Sequence, residues 1–498
     1  HIRWSRYGDR NEISLQEAQM RTFNNFIWRF AQTEGNYNFS SGSRGKGNLS
    51  SEANPYFLFP QIYNFRYNIF SSEWPVANRV IELYLQKKSE NGGWERQING
   101  ISNNEKAVLL LEKRTFKELL VDMELRNLQN NIVGQEASRL FARAEINMGV
   151  EAFRDSLYSL LKRNTFLNIK FENMLDTLGE ISRTDIRSLL GEWEKTTSLP
   201  FYSLGEPTLT KITNKGGEEF FVLKMLISNN SDYDGIIHMD IRKDGWWYQP
   251  LEDPRAKTKI EMPAHTSKEF VSVWEDQIRN VEINTMVSGN LPNIISQDIN
   301  NVKQERNKIV KDSIYILPES SFDLPGEIIV DNEDSTLFIL SAPPIVGLLP
   351  KWLDEVEETP FKYSGISWWR PPLQWTATTN DRYYGKYIRS AFVIKSGDGS
   401  QTATWKVPVP EVGQYDLYYH VFKDDELRWN NNLQGEYHFK VKYGSEVEDA
   451  YVNLRKANEG WEQLGSYYFD SDTIRVVLTD ECKLRSVTAD AVKIVKRY

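Results

Sequence analysis

The residues best suited to binding a ligand are the aromatic side chains between positions 368 and 375. Trp368 and Trp369 are adjacent, Arg370 follows them, and Trp375 stands five residues beyond Arg370. The flat faces of tryptophan rings stack on sugar rings, and an arginine donates hydrogen bonds to hydroxyl groups. A structural role, in which Trp368 and Trp369 pin their segment onto a neighbouring sheet, is slightly favoured. The sequence therefore offers these four residues as ligand-binding candidates and leaves the structural role open.

A short acidic run at Asp331, Glu333 and Asp334 has the ligand chemistry of a calcium site. Carboxylates and backbone carbonyls are the oxygen ligands that Ca²⁺ takes in proteins. The same run also fits an acidic turn at the entrance to a domain, and we favour that interpretation. Calcium is thus the one cofactor for which this chain itself offers candidate ligands.

Side chains for catalysis are not assembled in a recognisable pattern along the chain. None of the five histidines is four residues from another, and Cys482 is the only cysteine. One cysteine can form neither an intrachain disulfide nor a cysteine-based zinc site. His238 and Asp240 stand two residues apart and could share a metal, although a solvated strand face is the favoured interpretation. We therefore predict no catalytic residue in this chain.

Composition limits the kinds of partner. The net charge is −9, the pI is about 5.4, and no run is dense in lysine and arginine. This balance argues against a nucleic-acid partner. No stretch of 18 apolar residues is present, so we predict no transmembrane segment. A chain of 498 residues is long enough for two to four domains.

Hydrophobic spacing divides the chain into three parts. Up to about residue 200, apolar residues such as Phe153, Leu157 and Leu161 recur at helical spacing. From residue 201 the period changes to two, which predicts a β-sandwich over 201–317. Within its last part, Gln297 to Lys308 has the pattern of a polar helix. Residues 327–498 again alternate, with a Pro- and Trp-rich insertion at 342–376. The predicted fold is multidomain α+β, with an α-helical N-terminal region.

The last 170 residues carry five motifs in a fixed order, which are Val330 to Asp334, Ala403 to Pro410, Gly413 to Tyr418, Gly460 to Phe469 and Ala489 to Val492. Together they resemble the golvesin C-terminal-like domain, a carbohydrate-binding-like module. The resemblance implies a jelly-roll β-sandwich over 327–498 and a role in binding or scaffolding. Trp405 and Trp461 are expected in its core, with stacking on sugar rings as the alternative for either residue. Asp490 is expected to accept hydrogen bonds from a backbone turn.

A second series of motifs runs through the predicted helices to Trp193 and Leu199-Pro200. It includes Glu136 to Phe141 and Asn147 to Phe153, and residues 100–310 resemble the helical and β regions that follow the zinc site in aminopeptidase-N-type (gluzincin) metallopeptidases. Such a site needs His-Glu-x-x-His, with both imidazoles facing one metal, and this motif is missing. Because the chain begins with His1, we expect it to be part of a longer protein. Zinc is implied only if an upstream segment carries the motif.

These observations favour a non-catalytic binding or assembly region of a bacterial envelope or surface protein related to such peptidases. Two alternatives stay open. The C-terminal region could act as a carbohydrate-binding module, or the chain could be the C-terminal part of an active zinc peptidase. The expected partner is a polysaccharide or an envelope protein, and the expected location is periplasmic or on the cell surface.

Overall fold

The structure is a computed structural model of the protein. It describes residues 20, 67–74, 76–85, 93–122, 124–164, 167–187, 198–213, 216–243, 249–251, 253–299, 301–306, 310–318, 326–341, 361–367, 370–423 and 435–497. The chain is multidomain and rich in β-structure. Within the described residues, no helix is both long and apolar enough to cross a membrane.

One compact unit takes its described elements from residues 67–85 and 150–187. Helices Val150–Arg163 and Phe171–Ser182 each bury one apolar stripe, which confirms the helical spacing at Phe153, Leu157 and Leu161. The sequence did not predict the two short strands of this unit, which pair in parallel. These strands are β1 (Tyr67–Phe70) and β2 (Leu167–Lys170), and the remaining helix is Ala77–Leu85.

The other compact unit holds residues 91–149 and 188–498 and opens with four helices. Two of them begin with capping boxes, in which Ser102 pairs with Glu105 and Thr115 pairs with Glu118. The buried Glu105 carboxylate also accepts a hydrogen bond from the backbone N–H of Asn293, at 3.0 Å, and so ties a helix to the β-region. The helices are Gly93–Asn99, Asn103–Lys113, Phe116–Val121 and Gln129–Met148.

The middle region, residues 198–318, consists of two sheets that share one core. One sheet has the order β11-β10-β6-β7, with β8 paired to β6. The other has the order β12-β4-β5-β9-β13, with β3 paired to β5. The strands are β3 (Tyr202–Leu204), β4 (Thr208–Thr213), β5 (Glu219–Asn229), β6 (Gly235–Lys243), β7 (Gln249–Pro250), β8 (Lys257–Met262), β9 (Thr266–Trp274), β10 (Ile278–Asn284), β11 (Ile294–Asp298), β12 (Val302–Arg306) and β13 (Ser313–Pro318).

The predicted polar helix from Gln297 to Lys308 is wrong. Val302–Arg306 is an edge strand that pairs in parallel with β4, and four of its five residues are exposed. Edge pairing supplies its backbone hydrogen bonds, while neither side of the strand needs an apolar periodicity. A polar run of this kind therefore carries no signal that separates helix from strand.

The C-terminal region, residues 326–497, has a four-stranded sheet β14-β25-β19-β22, a five-stranded sheet β15-β18-β23-β20-β21 and a three-stranded sheet β16-β17-β24. Side chains from all three sheets meet in one core around Trp405, which is 0% exposed. The strands are β14 (Glu327–Val330), β15 (Phe338–Leu340), β16 (Thr376–Thr379), β17 (Ser390–Lys395), β18 (Thr402–Pro408), β19 (Gly413–Val421), β20 (Glu436–Tyr443), β21 (Glu446–Asn453), β22 (Gly460–Phe469), β23 (Thr473–Thr479), β24 (Ser486–Ala489) and β25 (Val492–Lys496).

The middle and C-terminal regions are joined by backbone hydrogen bonds. The N–H of Leu291 donates to the carbonyl of Tyr387 at 3.0 Å, and the N–H of Arg389 donates to the carbonyl of Leu291 at 2.6 Å. Leu291 is also buried in a small apolar cluster with Ile101 and Tyr363. These contacts link the two regions within one compact unit, and the separability of 327–498 as a domain stays a prediction.

The burial of Trp405 predicts where the stability of the C-terminal region lies. We expect Trp405→Ala to lower its free energy of unfolding by about 4 kcal/mol, because a large apolar side chain leaves a cavity in the shared core. Tyr468 is 61% exposed, and Tyr468→Ala should change the same quantity by no more than about 0.5 kcal/mol. Chemical denaturation of both variants measures the difference, and equal losses would contradict this account of the core.

Candidate functional site: the aromatic face

The strongest candidate site is the outer side of the four-stranded sheet, which we call the aromatic face. Strand β19 alternates strictly, so that Tyr415, Leu417, Tyr419 and Val421 are buried in the core. The residues between them must then point to the opposite side of the sheet. Together with their cross-strand neighbours, the outward residues are Gln414, Asp416, Tyr418 and His420 of β19, Trp461, Gln463, Ser466 and Tyr468 of β22, Lys493 and Val495 of β25, and Glu327 and Ile329 of β14.

One extra residue in β22 places Trp461 on this face. Leu417 pairs with Gly465, but the next residue, Tyr418, pairs with Gln463, so Leu464 has no partner across the strand pair. A bulge of one residue reverses which side of the sheet the following side chains face. Trp461 consequently lies opposite His420 and is only partly buried. The expected core position is confirmed for Trp405 and is wrong for Trp461.

The aromatic rings lie close together at one end of the face. The ring of Trp461 is 5.0 Å from that of Tyr384 and 5.2 Å from that of His420, measured between centroids. The Lys493 ammonium lies 4.9 Å from the centroid of Trp461 and 5.4 Å from that of Tyr418. At the far end of β22 the ring of Tyr468 is open to solvent.

Polar groups separate these rings. Asp416 accepts hydrogen bonds from the Gln463 amide at 3.0 Å and from the Arg497 guanidinium at 2.8 Å. The Ser466 hydroxyl also donates to Asp416, and this bond lowers the pKa of the carboxyl group. Asp416 and Gln463 together supply acceptors and donors of the kind that bind hydroxyl groups.

A buried carboxylate holds the aromatic end of the face in place. Asp490 is fully buried, and its side chain accepts hydrogen bonds from the backbone N–H of Tyr384 at 3.2 Å. It is also 2.9 Å from Nδ1 of His420. Burial raises the pKa of Asp490, and the nearby His420 and Arg389 oppose that shift. The expected hydrogen bond between Asp490 and a backbone turn is therefore present.

The pairing of His420 with Asp490 orients a ring and does not assemble a nucleophile. In the described part of the chain, no serine, threonine or cysteine side chain is hydrogen-bonded to His420. A histidine that acts as a general base needs such a group within hydrogen-bond reach. The face presents stacking surfaces beside hydrogen-bonding groups.

The calcium candidates form a hydrogen-bonded turn. Asp334 accepts a bond from the backbone N–H of Asp331 at 2.8 Å. Glu333 accepts bonds from the Lys362 ammonium at 2.6 Å and from the Tyr363 hydroxyl at 3.1 Å. Within the described residues, no three metal-binding side chains lie close enough together to hold a metal ion. This geometry matches the acidic entry turn, and calcium binding stays a prediction.

His238 and Asp240 do lie on one face of strand β6, as their spacing suggested. Arg242, on the same face, is 3.3 Å from the Asp240 carboxylate and 2.8 Å from that of Glu282. The guanidinium therefore occupies the place beside Asp240 where a cation would bind. Burial raises the pKa of Glu282, and Arg242 counters that shift.

The four residues that the sequence offers as sugar-binding candidates differ in whether they are described and in what they contact. Trp368 and Trp369 lie outside the described residues. Arg370 is exposed, and its backbone N–H donates to the carbonyl of Ser367 at 2.9 Å. Trp375 packs against the C-terminal core, with its indole Nε1 buried and without a hydrogen-bond partner in the described structure. The sugar-binding role of this group stays a prediction.

Sequence reasoning found the strands of the aromatic face but not the face itself. Trp461 was expected in the core as a residue of the golvesin-like motif. A count by twos from the inward residues Tyr467 and Phe469 would also place Trp461 inward. The signal that could have revealed the shift is Gly465, since a glycine within a strand often marks a bulge.

Comparison with known families places a match on this region. Residues 371–496 match the golvesin C-terminal domain. The match includes Trp461, Tyr418 and Tyr468, and it confirms the resemblance predicted for the C-terminal part. It does not extend to residues 100–310, so it gives no support to the resemblance to aminopeptidases. A search of curated proteins finds no match.

Solved structures give only distant similarities. A β-glucuronidase of Bacteroides uniformis is 12% identical with a TM-score of 0.18, over 63% of this chain and 32% of the enzyme. The B. uniformis β-glucuronidase 2 covalently bound to cyclophellitol-6-carboxylate aziridine is 12% identical with a TM-score of 0.17, over 63% and 31%. A structure of Sulfolobus turreted icosahedral virus is 10% identical with a TM-score of 0.13, over 61% and 88%. This chain spans about a third of the length of the glucuronidases, and similarities this weak carry no argument about its function.

The partly buried carboxyl group of Asp331 predicts a pH dependence. Burial raises the pKa of Asp331 well above its ordinary value of 3.8, so the folded state keeps a proton that the unfolded state has released. The contribution of Asp331 to the free energy of unfolding is therefore full below pH 3.8 and falls as the pH rises through the raised pKa. We expect Asp331→Asn to become more stable relative to the unmodified protein as the pH increases across that window.

Denaturant titrations at several pH values measure this difference. Asp470→Asn, which removes one carboxyl group at an exposed aspartate, is the matched control, and the effect of Asp331 is the pH dependence in excess of this control. A constant difference for Asp331→Asn would show that this carboxyl group is not desolvated in the folded protein.

Proposed function

We propose that this chain is a non-catalytic carbohydrate-binding protein of the bacterial cell surface, and that a polysaccharide binds across the aromatic face. The observation that carries the proposal is the outward position of Trp461, Tyr418 and Tyr468 on one side of one sheet. The match of residues 371–496 to the golvesin C-terminal domain supports a binding role for the same strands. In this proposal the C-terminal sheets form a jelly-roll β-sandwich that serves as the scaffold.

Stacking explains why these residues suit a sugar. The apolar side of a pyranose ring lies flat against an aromatic ring, while its hydroxyl groups need donors and acceptors at the edge. Trp461 and Tyr418 supply the rings, and Asp416 and Gln463 supply the polar groups. From Trp461 to Tyr468 the strand extends about 20 Å, which is enough for several sugar units in a row.

The side chains around Trp461 are also pre-organised for binding. Tyr384 is held by Asp490, and Lys493 is held between two rings by its ion pair with Glu327 at 3.0 Å. Side chains fixed in this way lose little conformational entropy when a ligand arrives. A binding surface built from ordered rings gains affinity from that saving.

The relation of residues 100–310 to aminopeptidase-N-type enzymes stays a prediction, and so does a zinc peptidase activity. Measuring the zinc content and aminoacyl-reporter cleavage of the purified chain tests both at once. One zinc ion per chain together with cleavage would replace the binding proposal with a catalytic one.

Binding of the intact chain to polysaccharides tests the proposal directly. We would measure pull-down on cellulose, chitin and insoluble xylan, and affinity electrophoresis in soluble β-glucans. Trp461→Ala should weaken binding to the best ligand at least tenfold, which corresponds to about 1.4 kcal/mol. Tyr468→Ala should weaken it by a smaller factor, because its ring stands alone at the far end of the face.

Tyr315→Ala is the matched control, since Tyr315 is an equally exposed tyrosine on strand β13 of the middle region. It should leave binding unchanged. Binding that survives Trp461→Ala and Tyr468→Ala together, or no binding to any of these polysaccharides, would contradict the proposal.

A further inference from the structure

The outer side of the five-stranded sheet carries a row of positive charges, which we call the cationic row. In the register of the sheet, Arg475 on β23 lies directly opposite Lys406 on β18 and directly opposite Lys442 on β20. Lys440, two residues before Lys442 on β20, lies opposite Val477 of β23. The inward neighbours of these residues, such as Trp405 and Val476, are buried in the core, so the row faces away from it.

Within the described residues, none of these four cations forms an ion pair, because no carboxylate oxygen lies within ion-pair distance of any of them. The acid nearest in register is Asp449, opposite Lys440, and it is 2.7 Å from Nε2 of His438. On the aromatic face, by contrast, Lys493 pairs with Glu327 and Arg497 pairs with Asp416.

Such an arrangement costs folding stability. Neighbouring strands are about 4.8 Å apart, so the row brings three positive charges within about 10 Å of one another. Like charges directly opposite each other destabilise a sheet. The chain has a net charge of −9, so acidic residues are not scarce, yet no acid in the described part of the chain forms an ion pair with this row. An anionic ligand that spans the strands would remove the repulsion.

We infer that the cationic row is a second binding surface, for a linear polysaccharide that carries carboxylate or sulfate groups. A narrow row across a flat sheet fits an extended polymer with repeated charges, whose anionic groups can meet successive side chains. A membrane or a nucleic-acid duplex would also face the surrounding surface of an acidic protein, which repels it. The row lies on a different sheet from the aromatic face.

Charge neutralisation in the full-length chain tests this inference. The triple variant Lys406→Gln, Arg475→Gln, Lys442→Gln removes the row. We expect the unmodified chain to bind polygalacturonate and dextran sulfate at low salt, with affinity that falls steeply as salt is added, and to bind neutral dextran far more weakly. The triple variant should lose at least tenfold in affinity for both polyanions. Its melting temperature should be unchanged or higher, because the repulsion within the row is relieved.

The matched control is Lys257→Gln, Lys303→Gln, Lys311→Gln, which makes the same change in net charge at exposed lysines of the middle region. It should bind polyanions as the unmodified chain does. Equal losses in both triple variants would overturn the inference, because net charge alone would then account for binding. Absence of salt-dependent binding would also overturn it, as would tighter binding to vesicles of phosphatidylglycerol and phosphatidylcholine than to either polyanion.

Discussion

The packing of the C-terminal sheets around Trp405 is the constraint on which the binding surfaces depend. Every second residue of β18, β19, β20 and β23 fills this core, and the residues between them are forced outward. One sequence pattern thus determines both the apolar interior and the chemistry of the two outer faces. The aromatic face and the cationic row are the two products of that alternation on two different sheets.

Asp490 connects this core to the aromatic face. Its backbone carbonyl accepts a hydrogen bond from Trp405 Nε1 at 3.2 Å, while its buried carboxylate holds Tyr384 and His420. A carboxylate in this position is costly to bury, and the raised pKa reflects that cost. The hydrogen bonds that offset the cost are the same ones that fix the orientation of the rings beside Trp461.

The sequence predicted the elements better than their faces. Period-two alternation and the golvesin-like motifs located the C-terminal strands and the core position of Trp405. The extra residue Leu464 then reversed the phase of β22, and no count of alternating residues detects a bulge of this kind. The polar strand Val302–Arg306 was not predicted as a strand for a related reason, because an exposed edge strand needs no apolar side. The cationic row depends on pairing between strands far apart in the chain, which a single sequence does not reveal.

Hydroxyl-radical footprinting of the intact chain with a bound polysaccharide tests the central claim most directly. It reports, side chain by side chain, which aromatic rings the ligand shields from solvent. The account predicts protection of Trp461 and Tyr468, with Tyr315 labelled equally in the free and bound states. Protection of Trp368 and Trp369 in place of Trp461 and Tyr468 would contradict it. The ligand would then bind at the segment between residues 368 and 375.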